Sequence, residues 1–418
     1  MAALPVLAAA QQTAYRNVDP QEFESIIADK GHVVRLDVRT AQEYADGHIS
    51  CARNIDVNST GFKDSVLKTV SKDDLVAVYC RSGRRSRQAA EILSEAGYNV
   101  VNLDGGIELW LSAAKPVVKA SGWEKREGDP VMGNEKLGTC FDVNIISEGS
   151  AKYNMYFSWR PKRAVAVARS EDGINWTDPE ICLEYDEESG WEDNLNRSCT
   201  IFWKGKYHMW YTGQARGYSK IGYAVSDDGI HFTRVQSDPV LVPTYNYEGY
   251  SVMNPYVMYD EDRDVLRMWY SSGETYEPNV LCYAESKDGI HWERSVLNPI
   301  FVHCEGQGWD SDRIGGCEVH RLQDGSYALF YIGYTDISTA RICAAVSKDG
   351  IRQWKRLQAN PLVEPTSGSW DEEACYKPSV YMDVENNRWQ LWYNGRDSRH
   401  EFIGYATHEG LDLGPCEK

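Results

Sequence analysis

The phrase Ser170-Glu171-Asp172-Gly173-Ile174-Asn175-Trp176 decides the fold of the larger part of this chain, because it returns. It recurs as Ser226-Asp227-Asp228-Gly229-Ile230-His231-Phe232 and as Ser286-Lys287-Asp288-Gly289-Ile290-His291-Trp292. A fourth copy, Ser347-Lys348-Asp349-Gly350-Ile351, and a degenerate fifth, Thr407-His408-Glu409-Gly410-Leu411, complete the series. Successive copies start 56, 60, 61 and 60 residues apart, a steady period that signals blades or an array. Each Asp-Gly supplies the positive-φ turn of a hairpin between strands.

A second phrase precedes each copy: Tyr153-Asn154-Met155-Tyr156-Phe157, Tyr207-His208-Met209-Trp210-Tyr211, Leu266-Arg267-Met268-Trp269-Tyr270, Tyr327-Ala328-Leu329-Phe330-Tyr331 and Trp389-Gln390-Leu391-Trp392-Tyr393. These aromatic and aliphatic runs read as strands packed on both faces, as sheets stacked around an axis require. Five repeats predict an all-β, five-bladed propeller over residues 138–415.

Residues 15–114 keep a different rhythm. Val33-Val34-Arg35-Leu36-Asp37, Leu75-Val76-Ala77-Val78-Tyr79 and Val100-Val101-Asn102-Leu103 read as buried parallel strands. Residues 86–96 place Ala89, Ala90, Leu93 and Ala96 on one helical face that stops before Gly97. A small α/β domain with a parallel sheet is expected over 14–118, with the Gly-, Pro- and charge-rich stretch 119–137 as linker.

The 418 residues suit two such domains, and 42% hydrophobic with 25% charged residues is ordinary globular composition. No apolar run approaches the ~20 residues of a membrane-spanning helix. A net charge of −18 argues against a general nucleic-acid partner. Eleven cysteines without Cys-x-x-Cys pairs do not read as a disulfide framework, and no zinc spacing occurs among the nine histidines. Neither a metal nor a cofactor is therefore expected. Residues 2–10 are apolar and end in small residues, like the tail of an export signal without its basic start. The compartment expected is the reducing cytoplasm, with periplasm or secretion as the alternative.

One loop carries chemistry legible by itself: Cys80-Arg81-Ser82-Gly83-Arg84-Arg85-Ser86 joins a strand to a helix. Such a junction aims backbone N–H groups and a helix N-terminus at one point, which with three arginines stabilises a thiolate, a persulfide or a bound oxyanion. A lone cysteine at a strand end is ordinarily just buried; one Gly and three Arg within six residues reverse that reading. The region resembles the rhodanese family. Asp37-Val38-Arg39 with Glu43-Tyr44 and Gly47-His48-Ile49 looks like its first signature, the Cys80 loop like its active loop, and Gly105-Gly106-Ile107 with Trp110 like its closing one. The related phosphatases have a loop one residue longer, and the count from Cys80 to Arg85 is that of the sulfur-handling loop. The resemblance implies that Cys80 takes sulfane sulfur from thiosulfate or a persulfide and passes it to a nucleophile. Arg85 would orient the loop, Asp37 and Arg39 would buttress the fold, and Arg81, Ser82, Gly83, Arg84 and Ser86 would contact the donor.

The repeats resemble the five-bladed propeller glycosidases: arabinanases, β-xylosidases, fructosidases and mannoside phosphorylases. In such folds the innermost strand of each blade points residues into an axial pocket. Stepping back one strand from each aromatic phrase gives Asp142, Arg197, Asn254, Gly316 with Glu318, and Lys377. The resemblance makes Asp142 a carboxylate base or nucleophile and Glu318 the general acid, although Glu318 lies two residues later than the family pattern. Asn254 stands where some members keep a third Asp. Arg197 and Lys377 suit an anionic sugar derivative. Trp191-Glu192-Asp193, Trp309-Asp310-Ser311-Asp312 and Trp370-Asp371-Glu372-Glu373 recur with the blades and read first as structural, with Asp193 and Asp312 kept as substrate-binding candidates. The partners implied are a small sulfur donor and a carbohydrate. Three readings of the whole chain stay open: a sulfurtransferase fused to a glycoside-acting propeller, a propeller that only binds carbohydrate or protein, or a rhodanese domain that regulates the propeller.

Overall fold

The computed structural model describes residues 15–28, 33–49, 52–117, 121–128, 130–147, 152–274, 277–304, 308–366 and 368–416. The apolar stretch 2–10 lies outside them. The chain divides into two compact units, Met1–Ala120 and Ser121–Lys418.

In the first unit five parallel strands, β1 (Arg16–Val18), β2 (Val33–Asp37), β3 (Arg53–Asn54), β4 (Leu75–Tyr79) and β5 (Asn99–Leu103), lie in the order β1-β5-β4-β2-β3. The helices α1 (Pro20–Ile27), α2 (Ala41–Ala45), α3 (Phe62–Thr69), α4 (Arg84–Glu95) and α5 (Gly106–Ser112) connect them. Local chemistry fixes their starts. Asp19 caps α1 through Glu22 N at 2.8 Å, with Pro20 in the first turn, and Thr40 and Glu43 form a reciprocal capping box on α2. The helix expected over 86–96 begins two residues earlier because Gly83, at φ 88°, turns the chain directly into it. Its Ala89, Ala90 and Leu93 pack on the sheet with Val76 and Val78.

The second unit is all β. Its described strands form antiparallel modules of four: β7 (Cys140–Ser147), β8 (Tyr153–Trp159), β9 (Ala164–Ser170), β10 (Glu180–Leu183); β11 (Asn194–Trp203), β12 (Lys206–Ala215), β13 (Tyr218–Ser226), β14 (Thr233–Arg234); β15 (Ser251–Asp260), β16 (Val265–Gly273), β17 (Pro278–Ser286), β18 (Glu293–Arg294); β19 (Arg313–Arg321), β20 (Tyr327–Asp336), β21 (Thr339–Ser347), β22 (Lys355–Arg356). A last sheet holds β23 (Ala374–Asp383), β24 (Arg388–Arg396) and β25 (Glu401–Glu409), completed by β6 (Trp123–Lys125) from the start of the unit. This corrects the linker reading of 119–137: Trp123, Glu124 and Lys125 pair with His408, Thr407 and Ala406, because the last sheet lacks a fourth strand of its own. First strands lie against one another in the cycle β7–β11–β15–β19–β23–β7.

The repeated phrases lock neighbouring modules. In the first turn Gly173 N donates to Ser170 Oγ at 2.9 Å, and Asp172 Oδ1 accepts from Ile174 N and Asn175 N. The turn's glycine carbonyl then accepts from an aromatic side chain of the preceding module: Tyr156 Oη to Gly229 O at 2.8 Å, Trp210 Nε1 to Gly289 O at 2.9 Å, Trp269 Nε1 to Gly350 O at 2.8 Å. Trp392 Nε1 reaches Gly173 O at 2.7 Å, joining the last module to the first. The recurring acids are braces. Buried Glu192, Glu248, Asp310 and Asp371 each accept from a second-strand tyrosine, Tyr211, Tyr270, Tyr331 and Tyr393, and pair with Arg234, Arg294, Arg356 and Lys125. Lys125 of β6 thus does in the last sheet what an arginine of the short fourth strand does in the second, third and fourth modules.

Candidate functional site

Cys80 directly follows β4 as a buried thiol. Its Sγ accepts from Gly83 N at 3.2 Å, and α4 starts at the next residue. The loop is held on three sides. Ile107 N and Glu108 N of α5 donate to Cys80 O and Arg81 O at 2.9 and 3.0 Å. A Cβ on Gly106, at φ 61°, would fall 2.5 Å from Cys80 O and 2.6 Å from Arg81 O, so only glycine allows α5 to approach this closely. Buried Ser86 donates from Oγ to Gly83 O at 3.3 Å. On the third side the Arg85 guanidinium grips Glu43 of α2 in a fork, Nη1 to Oε2 at 2.7 Å and Nη2 to Oε1 at 2.6 Å. That pairing draws the Glu43 carboxyl down to about 2.

Around this cradle, Arg81 is exposed and paired with Glu108 at 2.8 Å, while Ser82 and Arg84 are exposed at the loop surface. Asp37 and Arg39 lie behind it as a buried pair at 2.6 Å, with Arg39 Nη2 also donating to Gly47 O at 2.7 Å. Glu43, Glu108 and Gly106 were absent from the sequence-derived site, although Glu43 and Gly106 belong to motifs quoted for the family resemblance. Their roles come from packing between elements remote in sequence.

In the second unit, Asp142, Arg197, Asn254, Gly316 and Lys377 occupy one equivalent place on the five first strands. Each has positive φ, at 56°, 55°, 52°, 34° and 47°, and each sits where the pairing of first and second strand shifts register. Such a bulge re-aims a side chain, and at Arg or Lys the left-handed backbone costs about 1–2 kcal/mol. Hydroxyls of the preceding second strand hold three of the bulges: Ser158 Oγ accepts from Arg197 N at 3.0 Å, Thr212 Oγ1 from Asn254 N at 3.2 Å, and Ser271 Oγ from Gly316 N at 2.9 Å.

Asp142, Arg197 and Asn254 line a cavity of ≈ 90 Å³ at the end of the strands, together with Arg160, Tyr376 and Glu401. Burial pushes the Asp142 carboxyl up, against the opposing pull of Arg197 and Lys377. The Arg197 guanidinium stands 3.8 Å from Asp142 Oδ2. Glu401 is spoken for by Arg160 and Tyr376, both at 2.8 Å. Asn254 Oδ1 is buried without a hydrogen-bond partner and so presents an acceptor to whatever enters.

Glu318 does not join this set. Two residues past Gly316 it lies one layer down the ring, where Ser379 Oγ and Val380 N donate to its two oxygens at 2.7 Å each and Asn144 Nδ2 approaches at 3.5 Å. Two residues deeper along its strand, it serves a contact among the first strands, toward Ser379 and Val380 of β23 and Asn144 of β7, instead of lining the cavity. Asp193 and Asp312 are also elsewhere: Asp193 O accepts from Arg163, and Asp312 pairs with Arg313 at 2.6 Å. Lys377 is buried with its stem over Gly316. Arg160 and Glu401 escaped the sequence search because they follow or open strands two and three, whose ends antiparallel pairing carries to the bulge end of the ring.

Residues 19–113 match the family model described as "Rhodanese-like domain". The thiosulfate sulfurtransferase PspE of Escherichia coli is 41% identical over 85 residues, 20% of this chain and 77% of that protein. The chain belongs to the rhodanese-like family through its first unit. Beyond the rhodanese-like unit, residues 137–309 match the "Glycosyl hydrolases family 32 N-terminal domain". An uncharacterized protein of Mycobacterium tuberculosis is 29% identical over 228 residues, 53% of this chain; the chain spans 66% of that relative's length. A solved structure titled "Glycoside hydrolase" superposes with a TM-score of 0.58 at 17% identity, covering 71% of this chain and 95% of that one, a likeness of fold. The rhodanese-like unit is thus joined to a glycosidase-like all-β unit.

Proposed function

We propose that the rhodanese-like unit is a sulfurtransferase that carries a persulfide on Cys80, and that the second unit is a five-bladed propeller whose axial cavity binds an anionic carbohydrate and brings the carrier to its acceptor. The observation that carries the first part is the seat of Cys80 Sγ: an N–H donor at 3.2 Å, and the first turn of a twelve-residue helix just beyond it. The Cys80 thiolate attacks the outer sulfur of thiosulfate, the sulfur–sulfur bond breaks, and sulfite leaves with the bonding pair. An acceptor thiolate then attacks the outer sulfur of the persulfide, and the Cys80 thiolate is restored. Incubation with thiosulfate should add one sulfur atom to the intact mass, and Cys80→Ser should abolish both the addition and transfer. Unchanged transfer by that variant would remove Cys80 from the reaction.

For the propeller, binding is favoured over hydrolysis by the placement of Glu318, whose oxygens already serve Ser379 and Val380. Cleavage by two carboxylates needs both at the sugar. Calorimetry of the full chain with glucuronate should show binding that Arg197→Ala weakens at least tenfold. Hydrolysis of aryl glycosides that Asp142→Asn abolishes would overturn this reading.

A further inference from the structure

The second residue of the aromatic phrase crosses to the next module in two cases, and in the second module His208 is instead held within its own module by Tyr223 Oη and Trp203 O. In the third module Arg267 reaches the fourth, donating to Tyr327 Oη at 2.8 Å and Asp349 O at 2.7 Å, with its guanidinium 4.8 Å over the Tyr327 ring. In the last module Gln390 Nε2 donates to Tyr153 Oη of the first at 2.9 Å. In the fourth, Ala328 is small, but the next ring, Trp389, is large and packs on Phe330 at 5.4 Å. The first module has Asn154 at this position, too short to cross, and facing it are Tyr207 and Asp228, the counterparts of Tyr327 and Asp349. A groove of ≈ 740 Å³ remains open there, within the range of small-molecule sites.

The lining has the chemistry of a sugar site. Asn154 faces Arg169 across the β8–β9 pair. Among the described residues neither side chain has a hydrogen-bond or ion-pair partner, so both present polar groups to an occupant. Trp176 and Tyr207 are half-buried rings at the groove, and the Trp176 indole N–H is unpartnered. Two cations, Lys152 and Arg169, meet three carboxylates, Glu171, Asp172 and Asp228, so no strong charge of either sign selects an ion. Asp172 is already saturated by its own turn. We infer that this groove binds a neutral carbohydrate of about disaccharide size, its rings against Trp176 and Tyr207 and its hydroxyls on Asn154 and Arg169. The site is separate from the axial cavity: β8 runs from Tyr153 at the groove to Trp159, which pairs with Cys140 at the cavity end, about 20 Å away.

The decisive variant is Asn154→Arg, which supplies the plug the third module has. Full-length protein is titrated with a panel of neutral hexose and pentose disaccharides, followed by tryptophan fluorescence and saturation-transfer NMR. At least one should bind saturably, Asn154→Arg should weaken it at least tenfold without lowering the melting temperature, and excess glucuronate should not displace it. Arg169→Ala, on the exposed side, should weaken the same ligand if the longer side chain disturbs folding. No saturable binding by any member, binding that both variants leave intact, or displacement by glucuronate would overturn the proposal. Failure of glucuronate to bind at all would bear on the axial cavity and leave the groove result standing.

Discussion

Glu43→Gln tests how the Cys80 loop is held. The variant keeps the shape of the side chain but removes the charge that the Arg85 fork grips at 2.6 and 2.7 Å. A carboxyl drawn down to about 2 would, if fully enclosed, correspond to about 3 kcal/mol of attraction. Here the two side chains keep 23% and 28% of their surface in water, and screening reduces this to about 1–2 kcal/mol. That is a factor of about 5–30 in the population of the ordered loop. Thiosulfate-dependent sulfur transfer should fall by a similar factor, and amide exchange at residues 80–86 of the full chain should quicken, while exchange in β4 and β5 stays slow. The pH dependence has a definite sign. Because Glu43 is held low in the folded chain, its contribution is full above the ordinary glutamate range and disappears as the pH falls toward 2. The difference in exchange between parent and variant should therefore be largest near neutrality and close under acid. Equal loop exchange and equal transfer rates at neutral pH would show that the fork does not hold the loop.

Gly106→Ala places a methyl against two backbone carbonyls in a left-handed conformation; it should cost more than about 2 kcal/mol and depress sulfur transfer without touching Cys80, read by chemical denaturation and activity together. Arg234→Ala leaves the fully buried Glu192 with only the Tyr211 hydroxyl, so the second unit should lose about 3–5 kcal/mol, measured by its thermal transition. Lys125→Ala should act in the same direction on Asp371, which would keep Tyr393 as its tyrosine partner, read by the same transition.

The strand phrases and the Asp-Gly turns made the all-β, repeat-built character of the second unit legible, since each carries its own local physics: alternating apolar faces, and a serine and aspartate that serve their own turn. The five bulge positions could also be found by counting back from those strands. The segment at 121–126 could not be read correctly, because its partner is the last sheet of the chain and nothing local distinguishes an edge-completing strand from a linker. Glu318 was misplaced by depth: it stands two residues past the bulge, where groups of other first strands already occupy its oxygens. Glu43 and Gly106 stood in recognised motifs, but the loop they support is reached only through tertiary contact.

Repetition itself separates structure from chemistry in the second unit. A residue that returns from module to module answers a need those modules share: the aspartates of the first four turns are engaged within their own turns, and the acids of the four braces by a tyrosine and a cation nearby. Chemistry for a ligand therefore belongs where the repeat is broken. The axial cavity fits that rule, since the five equivalent bulges hold Asp, Arg, Asn, Gly and Lys, all different, at a backbone conformation that is unfavourable for two of them. Asn154 fits it as well. At that register the chain has His, Arg, Ala and Gln elsewhere, and three of these four are engaged in hydrogen bonds while the alanine lies beneath a larger neighbouring ring. Asparagine alone leaves space and an unmet amide together, which is the combination a ligand can satisfy and a water-excluding core does not retain.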